Sequence, residues 1–331
     1  MAEWIEELTW IPKLSGWSFI KPIKITEQSG NNLSDYQVLI ELNSSNFDFS
    51  KAKADGGDIR FLLPSGKSIP YWIESWDKSG QSAKVWVKVP SIPANSSTVI
   101  YMYYGNPSAT DESNGDAVFE FFDDFSTNTI GSKWNKQGSS SGSVSISGGY
   151  LILDPDQSTG GCGGTAEVIS TQGFDLTGDN SFLLKGRIYI SDRGAWKVQV
   201  FGWYDTSSSY CVAGTDCGGS TKGAYLTTRS NASSNNFMVS DGSGSTCLNY
   251  NSALDRWVEI EIARLSNGHY KTWEDGNYIG EVSTHLYSSS DARIKLAYQG
   301  SGAEIMKADY VFVRKYTDPE PTFTVCPEIW L

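Results

Sequence analysis

Phe119-Glu120-Phe121-Phe122-Asp123-Asp124-Phe125 is an aromatic and acidic stretch with structure breakers on both sides, and the organisation of the chain depends on it. Upstream, residues 105–116 form a polar run whose Gly, Pro and Asn are typical of a loop or linker. Downstream, from Ser126 onward, the chain becomes much richer in Gly and Ser. A Phe side chain left in water forfeits roughly 1.5–3 kcal/mol of burial free energy, so these rings need a core. The stretch therefore predicts the first strand of a second domain, with its two aspartates at one end.

Short runs with a period of two characterise the first half of the chain. In Ile23-Lys24-Ile25 the two isoleucines lie on one face of an extended chain and the lysine lies on the other. The same alternation returns in residues 36–42, 58–62, 71–76, 85–89 and 99–104, with turns between the runs. Six or seven short strands of this kind predict a β-sandwich of about 100 residues.

The second half of the chain contains twelve or so runs of the same type and no convincing helix. Asp275-Gly276 lies between two of them and predicts a hairpin turn. Such a series of strands predicts a two-sheet jelly roll, so the fold class is all-β with two β-sandwich domains.

Several motifs of the first half occur in an order that is typical of a known family. They are Trp17, Lys21-Pro22-Ile23, Asp35-Tyr36-Gln37-Val38, Asp58-Ile59-Arg60-Phe61, Ile69-Pro70-Tyr71-Trp72-Ile73-Glu74, Val85-Trp86-Val87-Lys88-Val89-Pro90 and Tyr103-Tyr104-Gly105-Asn106-Pro107. Over about residues 15–116 the chain resembles the module of bacterial and archaeal surface proteins known as domain of unknown function 2341. That family has no assigned reaction, so the resemblance implies a location on large exported proteins.

The resemblance also carries an implication for the second half of the chain. Such modules often precede a concanavalin A-like lectin/glucanase domain of the laminin G-like type, and the strands of the second half fit this fold. The last run, residues 309–316, resembles the closing strand of that fold, which implies that it pairs near the opening stretch 119–125. The predicted domains are an N-terminal arm over residues 1–14, the first β-sandwich over 15–116, the concanavalin A-like jelly roll over 117–318 and a C-terminal tail over 319–331.

Composition excludes several classes of function. The formal net charge of −12 disfavours binding to nucleic acid, whose phosphates require a basic surface. No apolar run approaches the ~20 residues that span a bilayer, so no membrane span is predicted. The negative charge is compatible with bound Ca²⁺ and with neutral sugars.

Four of the five cysteines, Cys162, Cys211, Cys217 and Cys247, fall within one part of the second half. None has the close paired spacing of a zinc site, and the chain has only two histidines. Disulfides are therefore favoured, with Cys211 joined to Cys217 and Cys162 joined to Cys247, although sequence alone does not settle the connectivity. Disulfides indicate an oxidising compartment or the interior of a thermophile. Cys326 is left over.

The first residues are acidic and lack the basic start and apolar stretch of a secretion signal. Three explanations stay open: a signal that was removed, a longer parent protein, or a virion component released by lysis.

Residues 259–264 give the strongest hint of catalysis. Jelly-roll glucanases carry the pattern Glu-x-Asp-x-x-Glu, whereas this chain has Glu259-Ile260-Glu261-Ile262-Ala263-Arg264, so the terminal catalytic carboxylate is an arginine. Ordinary strand alternation explains Glu259 and Glu261 as residues that face solvent. The two histidines, His269 and His285, lie near no Gly-x-Ser-x-Gly elbow. The chain is therefore predicted not to be an enzyme.

Aromatic side chains of the second domain are candidates for binding a sugar. They are Trp196, Trp203, Tyr204, Tyr210, Tyr225 and Trp273. Aromatic faces stack on ligands, but the core of a sandwich needs aromatic residues as well. Trp196 and Trp203, seven residues apart on an extended strand, would point to opposite faces.

A structural Ca²⁺ site is the one cofactor site that the sequence suggests. Asp123, Asp124 and Asp309 would come together if the first and last strands of the second domain pair, and oxygen ligands suit this ion. The alternative is that these carboxylates are simply solvated.

These observations predict a non-catalytic protein, extracellular or on a cell or virion surface, that binds glycans or displays a recognition surface through its second sandwich. Its partner would be a glycan or another cell-surface ligand. One alternative is a structural subunit of a filament, surface layer or virion that self-assembles through the apolar segments 4–17 and 327–331. Another is a glycoside hydrolase with an atypical pair of carboxylates.

Overall fold

The computed structural model describes residues 11–137, 142–155, 165–190, 198–205, 222–228, 235–250, 255–299 and 305–330. The fold in these residues is all-β, as the alternating runs predicted. The chain forms two compact units, of which the first contains residues 1–120 and 318–331 and the second contains residues 121–317.

The strands are numbered in chain order. The first six are β1 (Phe19–Thr26), β2 (Leu33–Asn43), β3 (Arg60–Leu62), β4 (Tyr71–Asp77), β5 (Ser82–Ile92) and β6 (Ser97–Tyr104), with a 3₁₀ turn at Phe49–Lys51 and the short helix α1 (Gly115–Val118). The next eight are β7 (Phe121–Asp123), β8 (Trp134–Gln137), β9 (Ser143–Ser147), β10 (Tyr150–Asp154), β11 (Thr165–Ser170), β12 (Phe182–Ile190), β13 (Val198–Asp205) and β14 (Gly223–Thr228). The remainder are β15 (Asn235–Ser240), β16 (Ser245–Tyr250), β17 (Arg256–Arg264), β18 (Tyr270–Glu274), β19 (Asn277–Val282), β20 (Ala292–Gln299), β21 (Met306–Lys315), β22 (Thr322–Val325) and β23 (Ile329–Trp330).

The first unit is a sandwich of two antiparallel sheets. One sheet has the order β22-β1-β6-β3, with β23 also paired to β1, and the other has the order β2-β5-β4. Alternate residues of both sheets meet in one core, which contains Ile23 and Ile25 from β1 and Val85 and Val87 from β5. On the opposite face of the first sheet, Ile11 and Leu14 from the N-terminal arm pack against Tyr103.

The C-terminal residues form strands of the first unit. Residues 319–331, which the prolines suggested as a tail, contain β22 and β23, and both are antiparallel to β1. The sequence did not reveal these strands because they are short and separated by Pro327.

The second unit is a larger sandwich. One sheet has the order β19-β18-β17-β12-β21-β10-β9, with β7 also paired to β21, and the other has the order β16-β15-β14-β13-β20-β11-β8. Their shared core includes Phe201 and Trp203 from β13 and Val258, Ile260 and Ile262 from β17. Since Glu259 and Glu261 alternate with these residues, they point away from the core, as predicted. They are not simply solvated, because both pair with the buried Lys185 ammonium, at 2.9 Å and 3.5 Å.

The aromatic and acidic stretch opens the second unit. Phe121, Phe122 and Asp123 form β7, which pairs with Val313, Phe312 and Val311 of β21. This pairing confirms the predicted contact between the opening stretch and the last strand. The predicted hairpin turn joins β18 to β19, and both Asp275 and Gly276 have positive φ there.

None of the helices in the described residues is long and apolar enough to cross a membrane.

Candidate functional site

The outward face of the sheet β16-β15-β14-β13-β20-β11-β8, here called the outer face, carries polar and aromatic side chains that are buried. Strand register aligns them in two rows. One row contains Glu167, Ala297, Val200, Thr227 and Asn236 on successive strands from β11 to β15. The next row contains Lys295, Gly202, Tyr225 and Met238. The first row therefore places a carboxylate, a hydroxyl and an amide in line, with only Ala297 and Val200 between Glu167 and Thr227.

Gly202 in the second row permits a close approach between strands. A Cβ atom at this position would lie 2.4 Å from the Cα atom of Tyr225, which no real side chain tolerates. The absence of a side chain at position 202 leaves room for Tyr225 beside Lys295.

Glu167 and Lys295 form a buried ion pair on this face. The exposed fraction is 1% for Glu167 and 3% for Lys295, and Lys295 Nζ lies 3.0 Å from Glu167 Oε1. Burial raises the pKa of the Glu167 carboxyl, and the nearby Lys295 ammonium acts in the opposite direction.

Two tyrosines stand beside this pair. The ring centroids of Tyr204 and Tyr225 are 4.7 Å apart with an interplanar angle of 33°. Lys295 Nζ lies 4.5 Å from the centroid of the Tyr204 ring, which is a cation–π contact. Burial, together with the neighbouring Tyr225, raises the pKa of Tyr204 well above its usual value, so its hydroxyl stays protonated.

Several polar atoms of the outer face are buried without a hydrogen-bond partner among the described residues. They include Oε2 of Glu167, Oδ1 of Asn236 and the hydroxyl of Tyr204. A buried polar group that stays unpaired costs about 1–3 kcal/mol, so native proteins keep few of them. In the described part of the chain, these three atoms lie on this one sheet face.

The hydrogen-bonding groups of the outer face are complementary to a neutral ligand that carries several hydroxyl groups. The carboxylate and amide oxygens accept hydrogen bonds from hydroxyl groups, and the tyrosine hydroxyl can donate or accept. The ion pair brings no net charge, and the aromatic rings offer apolar contact.

The six predicted ligand-binding residues do not share one surface. Tyr204 and Tyr225 lie together on the outer face, whereas Trp203 is fully buried in the core between the sheets. Trp273 lies on β18 in the other sheet, where its ring centroid is 5.7 Å from that of the exposed Tyr278. Trp196 and Tyr210 lie outside the described residues.

The three predicted calcium ligands are not brought together. Both carboxyl oxygens of Asp123 are occupied inside the second unit, since they accept hydrogen bonds from Phe125 N, Thr129 Oγ1 and Trp134 Nε1. Asp124 is bonded to Ser126, and Asp309 pairs with Arg187. Across the part of the chain that the structure describes, no group of three acidic, cysteine or histidine side chains is placed to hold a metal ion.

Within the described part of the chain, Cys247 is disulfide-bonded, in agreement with the prediction that it takes part in a disulfide. Cys247 lies on β16, but Cys162, Cys211 and Cys217 fall outside that part, so their connectivity stays a prediction. Cys326, left over in the sequence, is a free thiol.

Sequence reasoning missed Glu167, Lys295 and Asn236. All six residues of β11 are buried, so the strand is covered on both faces. A glutamate inside such a strand must be paired, and this is the signal by which Glu167 was detectable.

Comparison with known families gives one match in the first half of the chain. Residues 55–137 match the family model described as Domain of unknown function (DUF2341). Over 76 residues the chain is 38% identical to an uncharacterized protein, number 562, of Sulfolobus islandicus rod-shaped virus 1. The match covers 22% of this chain and 13% of the viral protein, so the chain corresponds to a small part of that relative.

Comparison with solved structures gives jelly-roll proteins. An endo-acting O-glycanase of the human gut microbiota is 12% identical with a TM-score of 0.44, over 60% of this chain and 100% of that one. The carbohydrate recognition domain of Emp47p is 14% identical with a TM-score of 0.43, over 59% and 94%. A β-glucanase of Bacillus licheniformis is 15% identical with a TM-score of 0.44, over 59% and 98%. At these identities the similarity concerns the fold alone.

The prediction that the chain is not an enzyme is corrected by these similarities. The similar structures include β-glucanases as well as carbohydrate recognition domains, so the jelly-roll fold is shared with glycoside hydrolases. Departure from the glucanase pattern at residues 259–264 does not exclude catalysis.

Proposed function

We propose that the second unit binds a neutral carbohydrate on its outer face. The observation that carries the proposal is that buried polar atoms of Glu167, Asn236 and Tyr204 lack a hydrogen-bond partner among the described residues, on the same sheet face as the Tyr204 and Tyr225 rings. A sugar has hydroxyl groups for the polar atoms and an apolar ring face for the aromatic side chains, so it satisfies both kinds of surface at once.

Charge favours neutral sugars over acidic ones. The chain carries a formal charge of −12, which repels polyanionic glycans at long range. At the site itself, the Lys295 ammonium is already neutralised by Glu167 at 3.0 Å. The expected ligand is therefore an oligosaccharide without sulfate or uronic acid groups.

A carbohydrate bound at this site could also be a substrate whose glycosidic bond is hydrolysed. Hydrolysis of a glycosidic bond usually requires two carboxylates, one of which has a raised pKa and acts as the acid. Glu167 has the raised pKa, and it is the single carboxylate at the outward positions of the described strands of this sheet. Binding and turnover should therefore be measured on the same glycans.

The test is a glycan-array screen of the full chain, followed by calorimetric titration of any sugar that binds. Tyr204→Phe and Asn236→Ala should each weaken the affinity about tenfold or more, since each removes a hydrogen-bonding group worth roughly 1.4 kcal/mol. Tyr278→Phe, an exposed tyrosine of the other sheet, is the matched control and should leave the affinity unchanged. A screen without binders, or equal affinity in all variants, would overturn the proposal.

The site of action that we propose is an exterior surface of a cell or a virion. The support is the similarity of part of the first half to a viral protein. Immunogold labelling of intact particles and cells from the source tests this location, and label confined to the cell interior would contradict it.

A further inference from the structure

Strand β1 is paired on both sides, and its second partner comes from the other end of the chain. On one side β1 pairs with β6 from Phe19 to Thr26. On the other side Ile23 to Thr26 pair with β22, and Phe19 and Ile20 pair with β23. Between these two strands Cys326 N donates a hydrogen bond of 2.8 Å to the Pro22 carbonyl. The C-terminal segment, residues 319–330, therefore covers the whole edge of β1.

The two sides of this contact differ in burial. On the acceptor strand, Ile20, Ile23 and Ile25 have an exposed fraction of 0%. On the C-terminal segment every described residue is half-buried or exposed, and Trp330 is 72% exposed. The acceptor strand is thus a fixed part of the core, whereas the C-terminal segment is an added edge.

Glu328 anchors the end of the C-terminal segment. Its Oε1 lies 2.5 Å from Lys51 Nζ, and its Oε2 accepts a hydrogen bond from the Tyr104 hydroxyl. Lys51 Nζ also lies 4.7 Å from the centroid of the Phe19 ring and 5.0 Å from that of the Trp330 ring. These contacts recognise the side chains of this particular segment, because a generic strand would supply only backbone hydrogen bonds.

We propose that the edge of β1 is a strand-acceptor site and that a second copy of this chain can supply the C-terminal segment to it. The backbone hydrogen bonds and the Glu328 anchor are the same whether the segment comes from the same chain or from a neighbour, so exchange creates no new unfavourable contact. Local opening is easiest where few side chains are buried, and this condition holds for the C-terminal segment. Reciprocal exchange between two copies closes a dimer, whereas one-way exchange joins copies head to tail.

The experiment introduces a cysteine on β1 directly across from Cys326 of the C-terminal segment. Pro22 lies directly across from Cys326, so Pro22→Cys in the full chain allows a disulfide between donor and acceptor. The protein is partly unfolded in denaturant, refolded at a series of concentrations, oxidised and run on a non-reducing gel. Exchange predicts reducible multimers whose share grows with protein concentration: a dimer if the exchange is reciprocal and a ladder if it is one-way. A cross-link confined to the monomer at every concentration would overturn the proposal.

The double variant Pro22→Cys with Cys326→Ser is the control, and a ladder that persists in it would show cross-linking through other cysteines and count against exchange. If Pro22→Cys does not fold, the natural chain is incubated with a fluorescent peptide of residues 319–331 that carries Ser at position 326. Exchange predicts a saturable rise in fluorescence anisotropy, and no rise with a peptide that carries Val325→Asp. Absence of uptake of the natural peptide would overturn the proposal.

Discussion

Lys295 Nζ lies 3.0 Å from Glu167 Oε1 on a sheet face where both side chains are almost fully buried. Such a pair adds little stability compared with apolar residues of the same shape, because both charges lose their hydration. Its value lies in holding a charged pair next to the Tyr204 ring, where a bound polar molecule would meet it. Substitutions of the Glu167–Lys295 pair should therefore affect the stability of the chain and its binding of a ligand separately.

Lys295→Met should destabilise the chain by about 3–5 kcal/mol at neutral pH, because it leaves the Glu167 carboxylate buried without a partner. Burial raises the pKa of Glu167 in the folded state, and loss of Lys295 removes the influence that lowers it. A group with a raised folded pKa favours the native state at low pH, and this contribution is lost as the pH rises through that pKa. The destabilisation should therefore shrink in acid, which urea unfolding at several pH values measures. Lys67→Met, at an exposed position, is the control, and an equal loss at every pH would contradict the assignment.

Tyr204→Phe and Tyr270→Phe form a matched pair of buried tyrosines in the second unit. The Tyr204 hydroxyl has no hydrogen-bond partner of good geometry among the described residues, so its removal should leave the free energy of unfolding unchanged or slightly raised. The Tyr270 hydroxyl donates a hydrogen bond of 2.8 Å to the Tyr287 carbonyl, so its removal should cost about 1–3 kcal/mol. Denaturant unfolding of both variants without ligand measures the contrast. A similar loss in the two variants would mean that Tyr204 is structural.

Glu27→Gln should remove part of the acid sensitivity of the first unit. Burial alone would raise the pKa of Glu27, but hydrogen bonds from Ser29, Asn95 and Gly30 lower it from 4.5 to about 2. A group with a lowered folded pKa stabilises the native state above its unfolded pKa, and this contribution is lost as the pH falls toward 2. The natural chain should therefore exceed the variant in stability at pH 6 and lose that advantage near pH 2.

Unfolding midpoints measured from pH 6 to pH 2 test this expectation, with the exposed Asp179→Asn as the control. A difference between Glu27→Gln and the natural chain that stays constant with pH would speak against it.

Calcium and a chelator should leave the melting temperature of the chain unchanged. The buried carboxylate of Asp123 accepts three hydrogen bonds from within the second unit, and among the described residues no group of three acidic, cysteine or histidine side chains is placed to hold a metal ion. Asp123→Ala should lower the melting temperature equally with and without calcium, since it leaves buried donors such as the Trp134 indole N–H unpaired. Differential scanning calorimetry checks both statements. A calcium-dependent rise that disappears in Asp123→Ala would restore the metal site.

The strands and their faces could be predicted because alternation is a local property. Val258, Ile260 and Ile262 point to the core and Glu259 and Glu261 point away, as period two requires. The pairing of β7 with β21 was expected for a different reason, the resemblance of residues 309–316 to the closing strand of the concanavalin A-like fold.

The site could be predicted only in part, because it depends on which strands become neighbours. Tyr204 and Tyr225 were candidates as aromatic residues, but nothing local distinguishes Trp203, which points into the core, from Tyr204, which points outward. Glu167 and Lys295 are far apart in the chain and meet only because β11 pairs with β20. The alignment of Asn236 with Thr227 likewise depends on the register between β14 and β15.

The pairing of β1 with β22 and β23 sets an order for folding during synthesis. Contacts between residues so distant in sequence form slowly, since a long loop must close before they stabilise anything. While the ribosome is still making the second unit, β1 lacks its outer partner, and Phe19 has no Trp330 to meet. The first unit to emerge is therefore the last to be completed, and its edge is open to other strands throughout that interval.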